Sequence, residues 1–137
     1  PDSTGPGEDI AVDGEQRFLS GVAVDGDGVV YVADRGQRVG DELKRPAQVI
    51  KLASGADRQT VLPLTGLGAS VALAADSDGN VYVADTDHGR VLKFTAGQAD
   101  PVKLPFTGLD HPTGVAVGVD GSVYVADAHR VVALTVE

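Results

Sequence analysis

Apolar residues recur in short runs along the chain, and one of these runs is repeated almost unchanged. It reads VVYVAD from Val29, NVYVAD from Asn80 and SVYVAD from Ser122. Each copy follows a second apolar run (GVAVD, VALAAD or GVAVG) and a turn that contains an Asp-Gly pair. Asp-Gly between two short valine-rich runs is typical of a β-hairpin. The pattern therefore predicts three hairpins, each with an aspartate at the end of its second strand.

A third apolar run follows every hairpin, and a fourth follows two of them. The third runs are AQVIKLA from Ala47, GRVLKFT from Gly89 and HRVVALT from His129. The fourth runs, QTVLPL from Gln59 and DPVKLPF from Asp100, contain proline. Continuous apolar character predicts that the first two strands of a unit are buried on both faces, whereas proline predicts an edge strand. Each unit is therefore predicted to be a four-stranded sheet.

The spacing of the units indicates the architecture. Tyr31, Tyr82 and Tyr124 occupy the same place in the three units and are 51 and 42 residues apart. Four-stranded sheets that repeat at this interval are typical of a β-propeller. We therefore predict an all-β propeller domain over residues 9–137, preceded by a flexible linker over residues 1–8. Its three blades are predicted at about 20–66, 70–109 and 113–137.

The closure of the propeller ring has two possible explanations. The third unit has no fourth apolar run, and residues 9–13 stand where the last strand of a blade would be expected, so we predict that they form a closing strand. Three blades fall short of the usual four to eight. Either two copies form one six-bladed ring, or the chain is a fragment of a longer propeller. We favour the homodimer, because two-fold symmetric dimers are the commonest oligomers.

Charge and composition narrow the range of partners. The formal net charge of −9 predicts no nucleic-acid partner, because phosphate is bound by clustered lysine and arginine. No apolar run approaches the roughly 20 residues that span a bilayer, so we expect no membrane insertion by this chain. Cysteine, tryptophan and methionine are absent, which excludes disulfides and leaves valine, alanine and leucine to form most of the core.

The repeated units resemble a known family. The segments GVAVDGDGVVYVAD, VALAADSDGNVYVADTDHGRVLKF and LPFTGLDHPTGVAV are similar to NHL repeats, most of all those in the extracellular sensor domain of a mycobacterial membrane Ser/Thr kinase and in related secreted actinobacterial proteins. The similarity extends over nearly the whole chain from Ile10. That sensor domain is a single six-bladed chain, whereas this chain has three units, and Gly118 stands where the other units have Asp25 and Asp76. The resemblance implies an extracytoplasmic (secreted or cell-surface) binding or sensing role rather than catalysis.

One face of the predicted propeller collects the candidate binding residues. The loops between second and third strands, together with the loops that enter the next blade, lie on this face, which we call the loop face. It is predicted to hold all three histidines and to bind a protein or a small polar ligand. The candidate ligand-binding residues are Arg35, Arg38, Lys44, Arg45, Asp87, His88, Arg90, Asp110, His111, His129 and Arg130.

These side chains have two interpretations. The first is a polar-ligand site or a His/Asp metal site. The second, which we favour for the recurring residues Asp34, Asp85, Asp127, Arg90 and Arg130, is that each ties down its own loop by hydrogen bonds. We predict no metal and no cofactor, because no two histidines have close ligand spacing. The segments DGDG at Asp25 and DSDGN at Asp76 resemble half of a calcium loop, but the distal glutamate of an EF-hand is missing.

An insertion breaks the repeat at the loop face. The first unit follows VYVAD with RGQRVGDELKRPAQV, which is nine residues longer than the corresponding segment of the second unit and is locally basic. We expect this segment to be an irregular loop that carries binding specificity, because such additions to repeat scaffolds commonly do so. A contact between two copies of the chain is an equal alternative for this loop.

A non-catalytic binding module is therefore the function that we predict. The alternative is a metal-dependent lactonase or lyase, since six-bladed propellers include such enzymes. The chain has only four glutamates, none of which recurs at an inner strand, and it has no G-x-S-x-G segment.

Overall fold

The computed structural model describes residues 19–52, 59–62, 64, 66–68, 71–95 and 100–135. The predicted linker (1–8) and closing strand (9–13) lie outside these residues. The first sheet has the order β1-β2-β5-β6 and consists of Leu19–Val24, Val30–Asp34, Gln48–Leu52 and Gln59–Val61. The second has the order β10-β9-β8-β7, with β7 at Val71–Ala75, β8 at Val81–Asp85, β9 at Arg90–Phe94 and β10 at Val102–Lys103.

The third sheet contains three strands among the described residues, β11 (Pro112–Val117), β12 (Val123–Asp127) and β13 (Arg130–Leu134). A two-stranded sheet, β3 (Gln37–Val39) and β4 (Glu42–Arg45), lies between β2 and β5 in sequence. All strand pairs are antiparallel. The prediction of an all-β propeller built from four-stranded blades is confirmed in its class and in its strand order.

The Asp-Gly turns close the three hairpins as the sequence predicts. The last strand pairs before the turns are Val24–Val30, Ala75–Val81 and Val117–Val123. The glycine of each turn has a positive φ (84° at Gly28, 86° at Gly79 and 87° at Gly121), a conformation that side chains disfavour. Aspartate side chains stabilise the turns: Asp76 accepts hydrogen bonds from the backbone N–H groups of Asp78 and Asn80 at 3.0 and 2.9 Å.

Burial is greatest at the second strand of a blade. All five residues of β8 are buried, and so are four of five in β2, which confirms the prediction for these strands. The first strands are only partly buried: four of five residues in β7 have intermediate exposure. The expectation that the first strand is buried on both faces is therefore wrong, because this strand is the edge strand of its sheet and is hydrogen-bonded to one strand only among the described residues.

The blades pack face to face and share two apolar clusters. The first strands β1, β7 and β11 are neighbours in that order, which places β7 between the other two. The first cluster joins Tyr31, Ala33 and Val49 of the first blade to the apolar residues of the second blade Val71, Val81, Val83, Leu92 and Phe94. The second cluster joins Tyr82, Ala84 and Val91 of the second blade to Val123 and Val125 of the third.

An Asp–Tyr pair recurs in the first two blades, at the end of the hairpin opposite the loop face. The hydroxyl groups of Tyr31 and Tyr82 donate to Asp25 and Asp76 at 2.9 and 3.2 Å. Burial and the neighbouring carboxylates raise the pKa of both tyrosines, that of Tyr82 to about 12. In the third blade Gly118 occupies the aspartate position, and Tyr124 makes no hydrogen bond to another described residue.

Candidate functional site

Asp85, the last residue of β8, is fully buried and has three partners. Its Oδ1 accepts a hydrogen bond from the backbone N–H of Gly68 at 3.0 Å. Its Oδ2 accepts one from Nε of Arg90 at 2.9 Å and lies 2.9 Å from Nδ1 of His88. Arg90 also donates through Nη2 to the carbonyl of Gly66 at 3.1 Å. This carboxylate therefore fastens the loop that enters the second blade to the loop between β8 and β9.

Asp127 repeats this arrangement in the third blade. Its Oδ1 accepts from the backbone N–H groups of Asp110 and His111 at 2.9 and 2.7 Å. Its Oδ2 accepts from Nε and Nη2 of Arg130 at 3.2 and 3.1 Å, and Arg130 donates to the carbonyl of Gly108 at 2.7 Å. Burial alone would raise the pKa of Asp127, but the hydrogen bonds from His111, Asp110 and Arg130 outweigh it and hold the pKa below its usual value.

Asp34 occupies the same position in the first blade, with a different set of neighbours. It is fully buried and accepts from the backbone N–H of Gly36 at 2.9 Å. Gln48 pairs with Asp34 in the strand register, where the other blades pair arginine with aspartate. The first blade therefore keeps the buried carboxylate and has glutamine at the register position of the arginine.

The loops of neighbouring blades fit closely on this face. The hydroxyl of Thr86 donates to the carbonyl of Pro112 at 2.5 Å, which ties the second blade to the third. A Cβ added to Gly68 would come within 2.5 Å of the Asp87 side chain, and one added to Gly89 would come within 3.1 Å of the Leu109 carbonyl. Glycine is required at Gly68 because only a hydrogen atom fits against Asp87.

The three histidines all lie in loop-face segments, and all are exposed. His88 ends a short 3-10 helix, Thr86–His88, and its side chain is 51% exposed although Nδ1 faces Asp85. His111 contributes its backbone N–H to Asp127. His129 lies in the turn between β12 and β13. No group of three or more His, Asp or Glu side chains able to hold a metal ion occurs within the described ranges.

The other candidate ligand-binding residues differ in their contacts. Arg90 and Arg130 are bonded within the loops, as the structural interpretation of the sequence expects. Asp87 and Asp110 are exposed on the loop face. Arg35 is exposed just beyond Asp34, at the start of the insertion. Arg38, Lys44 and Arg45 belong to β3 and β4. Ligand binding by any of these residues stays a prediction.

The insertion forms a β-hairpin, which corrects the expectation of an irregular loop. Residues 37–39 pair with residues 42–45, and Gly40 adopts a positive φ of 62° at the turn. A Gly-Asp pair at Gly40 and Asp41 is a sequence signal for a two-residue hairpin turn, and it could have identified this element. Val39 is 57% exposed beside the turn.

The calcium interpretation of the Asp-rich turns is weakened by the hydrogen bonds of Asp25. Its Oδ1 accepts from the backbone of Asp27 and Val29 at 2.9 and 3.1 Å, and its Oδ2 accepts from Tyr31. Both oxygens are thus used by the hairpin itself, which is the ordinary role of aspartate at such turns. These turns also lie at the end of the blades opposite the loop face.

Comparison with known proteins identifies the repeat. The NHL repeat family matches residues 71–94 and 109–131, which span β7–β9 and most of β11–β13. These two segments are NHL repeats, and the fold of the chain is that of a β-propeller. No curated protein sequence matches the chain significantly. The expected similarity to a kinase sensor domain is thus supported only as far as the repeat.

Solved propeller structures agree with this assignment. A chain of a nidogen/laminin complex is similar with a TM-score of 0.66 at 22% identity, over 83% of this chain and 41% of that one. A catalytically inactive virginiamycin B lyase from Staphylococcus aureus, solved with quinupristin, has a TM-score of 0.64 at 15% identity over 94% and 45%. The chain therefore spans less than half the length of these structurally similar chains. No helix among the described residues is long and apolar enough to cross a membrane.

Proposed function

We propose that the protein is a non-catalytic binding module that uses the β3–β4 hairpin and the neighbouring loop face to hold an anionic segment of a protein partner. The observation that carries this proposal is the break in the repeat. Asp85 and Asp127, with Arg90 and Arg130, are bonded within and between loops and serve the scaffold. The hairpin has no counterpart in the second or third blade, so the repeat does not account for it.

Local charge indicates the chemistry of the partner. Within residues 35–45 the basic residues Arg35, Arg38, Lys44 and Arg45 outnumber Asp41 and Glu42, although the whole chain has a net charge of −9. A basic segment on an acidic protein attracts an anionic ligand, whereas the acidic remainder of the surface repels the same ligand. Arginine also supplies forked donors that match carboxylates.

We infer the cellular location and the role of the protein from the family resemblance. The NHL repeats that this chain resembles belong to an extracellular sensor domain, and we infer the same location and a sensing role for this chain. The nidogen/laminin complex contains a propeller of similar fold, which supports a protein as partner. We further infer that two copies assemble as a homodimer, in which six blades form the ring.

The binding proposal is tested with a fluorescein-labelled hexaglutamate peptide as probe, followed by fluorescence anisotropy. Wild-type protein is expected to bind the probe with an affinity that falls as salt rises, and a hexalysine peptide of the same length is not expected to bind at this site. The variant with Arg35, Arg38, Lys44 and Arg45 changed to alanine is expected to lose binding while keeping its melting temperature.

The matched control is Lys103→Ala, which removes an exposed cation on the outermost strand β10 of the second blade. This variant is expected to bind hexaglutamate like the wild type. Equal binding by the fourfold variant and the wild type, or no binding by the wild type at low salt, would overturn the proposal.

A further inference from the structure

Each blade buries the same face against the blade that follows it. In the first blade this face includes Tyr31, which is 3% exposed, and Val49, which is fully buried. In the second blade the equivalent residues are Tyr82 and Val91, which are 3% and 0% exposed. Both pairs belong to the apolar clusters between blades.

The equivalent residues on the same face of the third blade are exposed. Tyr124 and Val131, the equivalents of Tyr82 and Val91, are 41% and 72% exposed. Ala116, Ala126 and Ala133 pair with them or lie beside them in the strand register and are exposed as well. We call these five residues the blade-3 face. All five residues of this face are apolar, whereas the side of a sheet that faces solvent ordinarily carries polar residues.

The complementary surface lies at the other end of the chain. Within the protein, Leu73 and Ala75 pack against the first blade, and Val115 and Val117 pack against the second. Their equivalents in β1 are Val22 and Val24, which are 65% and 55% exposed. Val32 and Ile50, which neighbour Val22 on the same side of the sheet, are already buried within the chain. The exposed part of this side of the first blade is strand β1 at Val22 and Val24, which we call the blade-1 face.

We propose that the blade-3 face of one subunit packs against the blade-1 face of a second copy, twice in a two-fold symmetric dimer. This inference rests on the proposed homodimer and assigns the surfaces that form it. The two interfaces inside the chain are the template for the first strand of the blade, because Leu73 and Ala75, like Val115 and Val117, hold there the register positions of Val22 and Val24. Burial of valine and tyrosine side chains now in water provides the driving force.

The turn of the third blade supports a partner at this place. Inside the chain, the turns of neighbouring blades touch: a Cβ on Gly26 would lie 3.0 Å from Ser77, and one on Gly79 would lie 3.8 Å from the Asp25 carboxylate. The equivalent contact of the third blade would be with the Asp25–Gly28 turn of the partner subunit. Gly118 leaves Tyr124 without the aspartate that Tyr31 and Tyr82 use, so its hydroxyl is available for an acceptor on that turn.

Light scattering coupled to size-exclusion chromatography tests the proposal on the full chain across a wide range of concentrations. Wild-type protein is expected to have twice the 14.0 kDa mass of one chain. Val131→Glu and Val22→Glu each place a carboxylate in both interfaces, so each is expected to weaken the dimer at least about a hundredfold. Both positions are exposed within one chain, so circular dichroism should show that each variant folds.

Mixing the variants separates this pairing from others. A mixture of Val22→Glu and Val131→Glu chains has one intact interface, because one chain keeps its blade-3 face and the other keeps its blade-1 face. The mixture is therefore expected to form heterodimers where neither variant alone dimerises. Val102→Glu, at a position 59% exposed on β10 and outside both faces, is the control and is expected to stay dimeric.

The outcomes distinguish the surfaces from the dimer itself. A wild-type dimer that persists in Val22→Glu and Val131→Glu would contradict the assigned faces and leave the homodimer intact. Loss of the dimer in Val131→Glu alone would indicate that two blade-3 faces pair with each other, which also overturns the assignment. A wild-type monomer at all concentrations would overturn both the faces and the homodimer, whereas the hexaglutamate measurement would still test ligand binding.

Discussion

The buried carboxylate of Asp85 accepts a hydrogen bond from Arg90 at 2.9 Å, and the same arginine reaches the carbonyl of Gly66 in the loop that enters the blade. Asp127 and Arg130 form the same arrangement one blade later. A carboxylate at the end of a second strand thus holds a loop that lies 17 residues earlier in the sequence. This relationship explains the aspartate of the VYVAD segment in the second and third repeats.

Removal of the Asp85 carboxylate should destabilise the protein strongly. Asp85→Ala leaves Arg90 and the N–H of Gly68 without their acceptor, and we expect a loss on the order of 3 kcal/mol in the free energy of unfolding. The measurement is urea unfolding followed by circular dichroism. Asp78→Ala is the control, because the Asp78 side chain makes no hydrogen bond to another described residue. A variant Asp85→Ala as stable as the control would show that this bond network is dispensable.

Gly68 should tolerate no side chain. Gly68→Ala places Cβ 2.5 Å from the Asp87 side chain, so the loop must shift away from Asp85. We expect a loss of about 1–3 kcal/mol, the usual cost of overpacking. Gly21→Ala is the matched control, because a Cβ there meets Ala33 at an ordinary 3.5 Å. Equal melting temperatures of the two variants would contradict the packing described for this loop.

Acid should destabilise the protein through Asp25, Asp76 and Asp127. Hydrogen bonds overcome the effect of burial and lower the pKa of all three carboxyl groups. Their stabilisation is therefore complete above the unfolded-state pKa of about 3.9 and is lost as the pH falls through the folded-state values. The melting temperature should be level near pH 6 and decrease steeply below about pH 4.

Asp76→Asn tests the contribution of one of these groups. The amide cannot ionise, so this variant should be less stable than the wild type at neutral pH and should lose less stability on acidification. Asp78→Asn is expected to follow the wild-type curve. Parallel curves for Asp76→Asn and the wild type would mean that Asp76 does not contribute to the acid sensitivity.

Most of the fold could be predicted from local sequence patterns. The hairpins at Val24–Val30 and Ala75–Val81 follow from valine-rich runs and Asp-Gly turns, which act over a few residues. The hydrogen bond between Gly68 and Asp85 spans 17 residues and depends on how blades pack, so no local pattern could have predicted it. Position in the repeat predicted that the histidines share one face, but not that Nδ1 of His88 faces Asp85.

The β3–β4 hairpin was missed for a different reason. Its Gly40–Asp41 turn has a recognisable signal, but its strands carry arginine, lysine and glutamate instead of alternating apolar residues. Such strands gain little from burial, so hydrophobic periodicity does not reveal them. The same charged residues are the reason why we propose the hairpin as a binding element.

The most direct test of the binding face is a titration of 15N-labelled protein with the hexaglutamate peptide, followed by amide chemical shifts. We expect the shifts to concentrate at Arg35, Gly36 and Gly40, with smaller changes near His88. Gly28, Gly79 and Gly121, at the opposite end of the blades, should not move. Shifts centred on those three turns, with the amides of Arg35 and Gly40 unchanged, would contradict the assignment of the binding face.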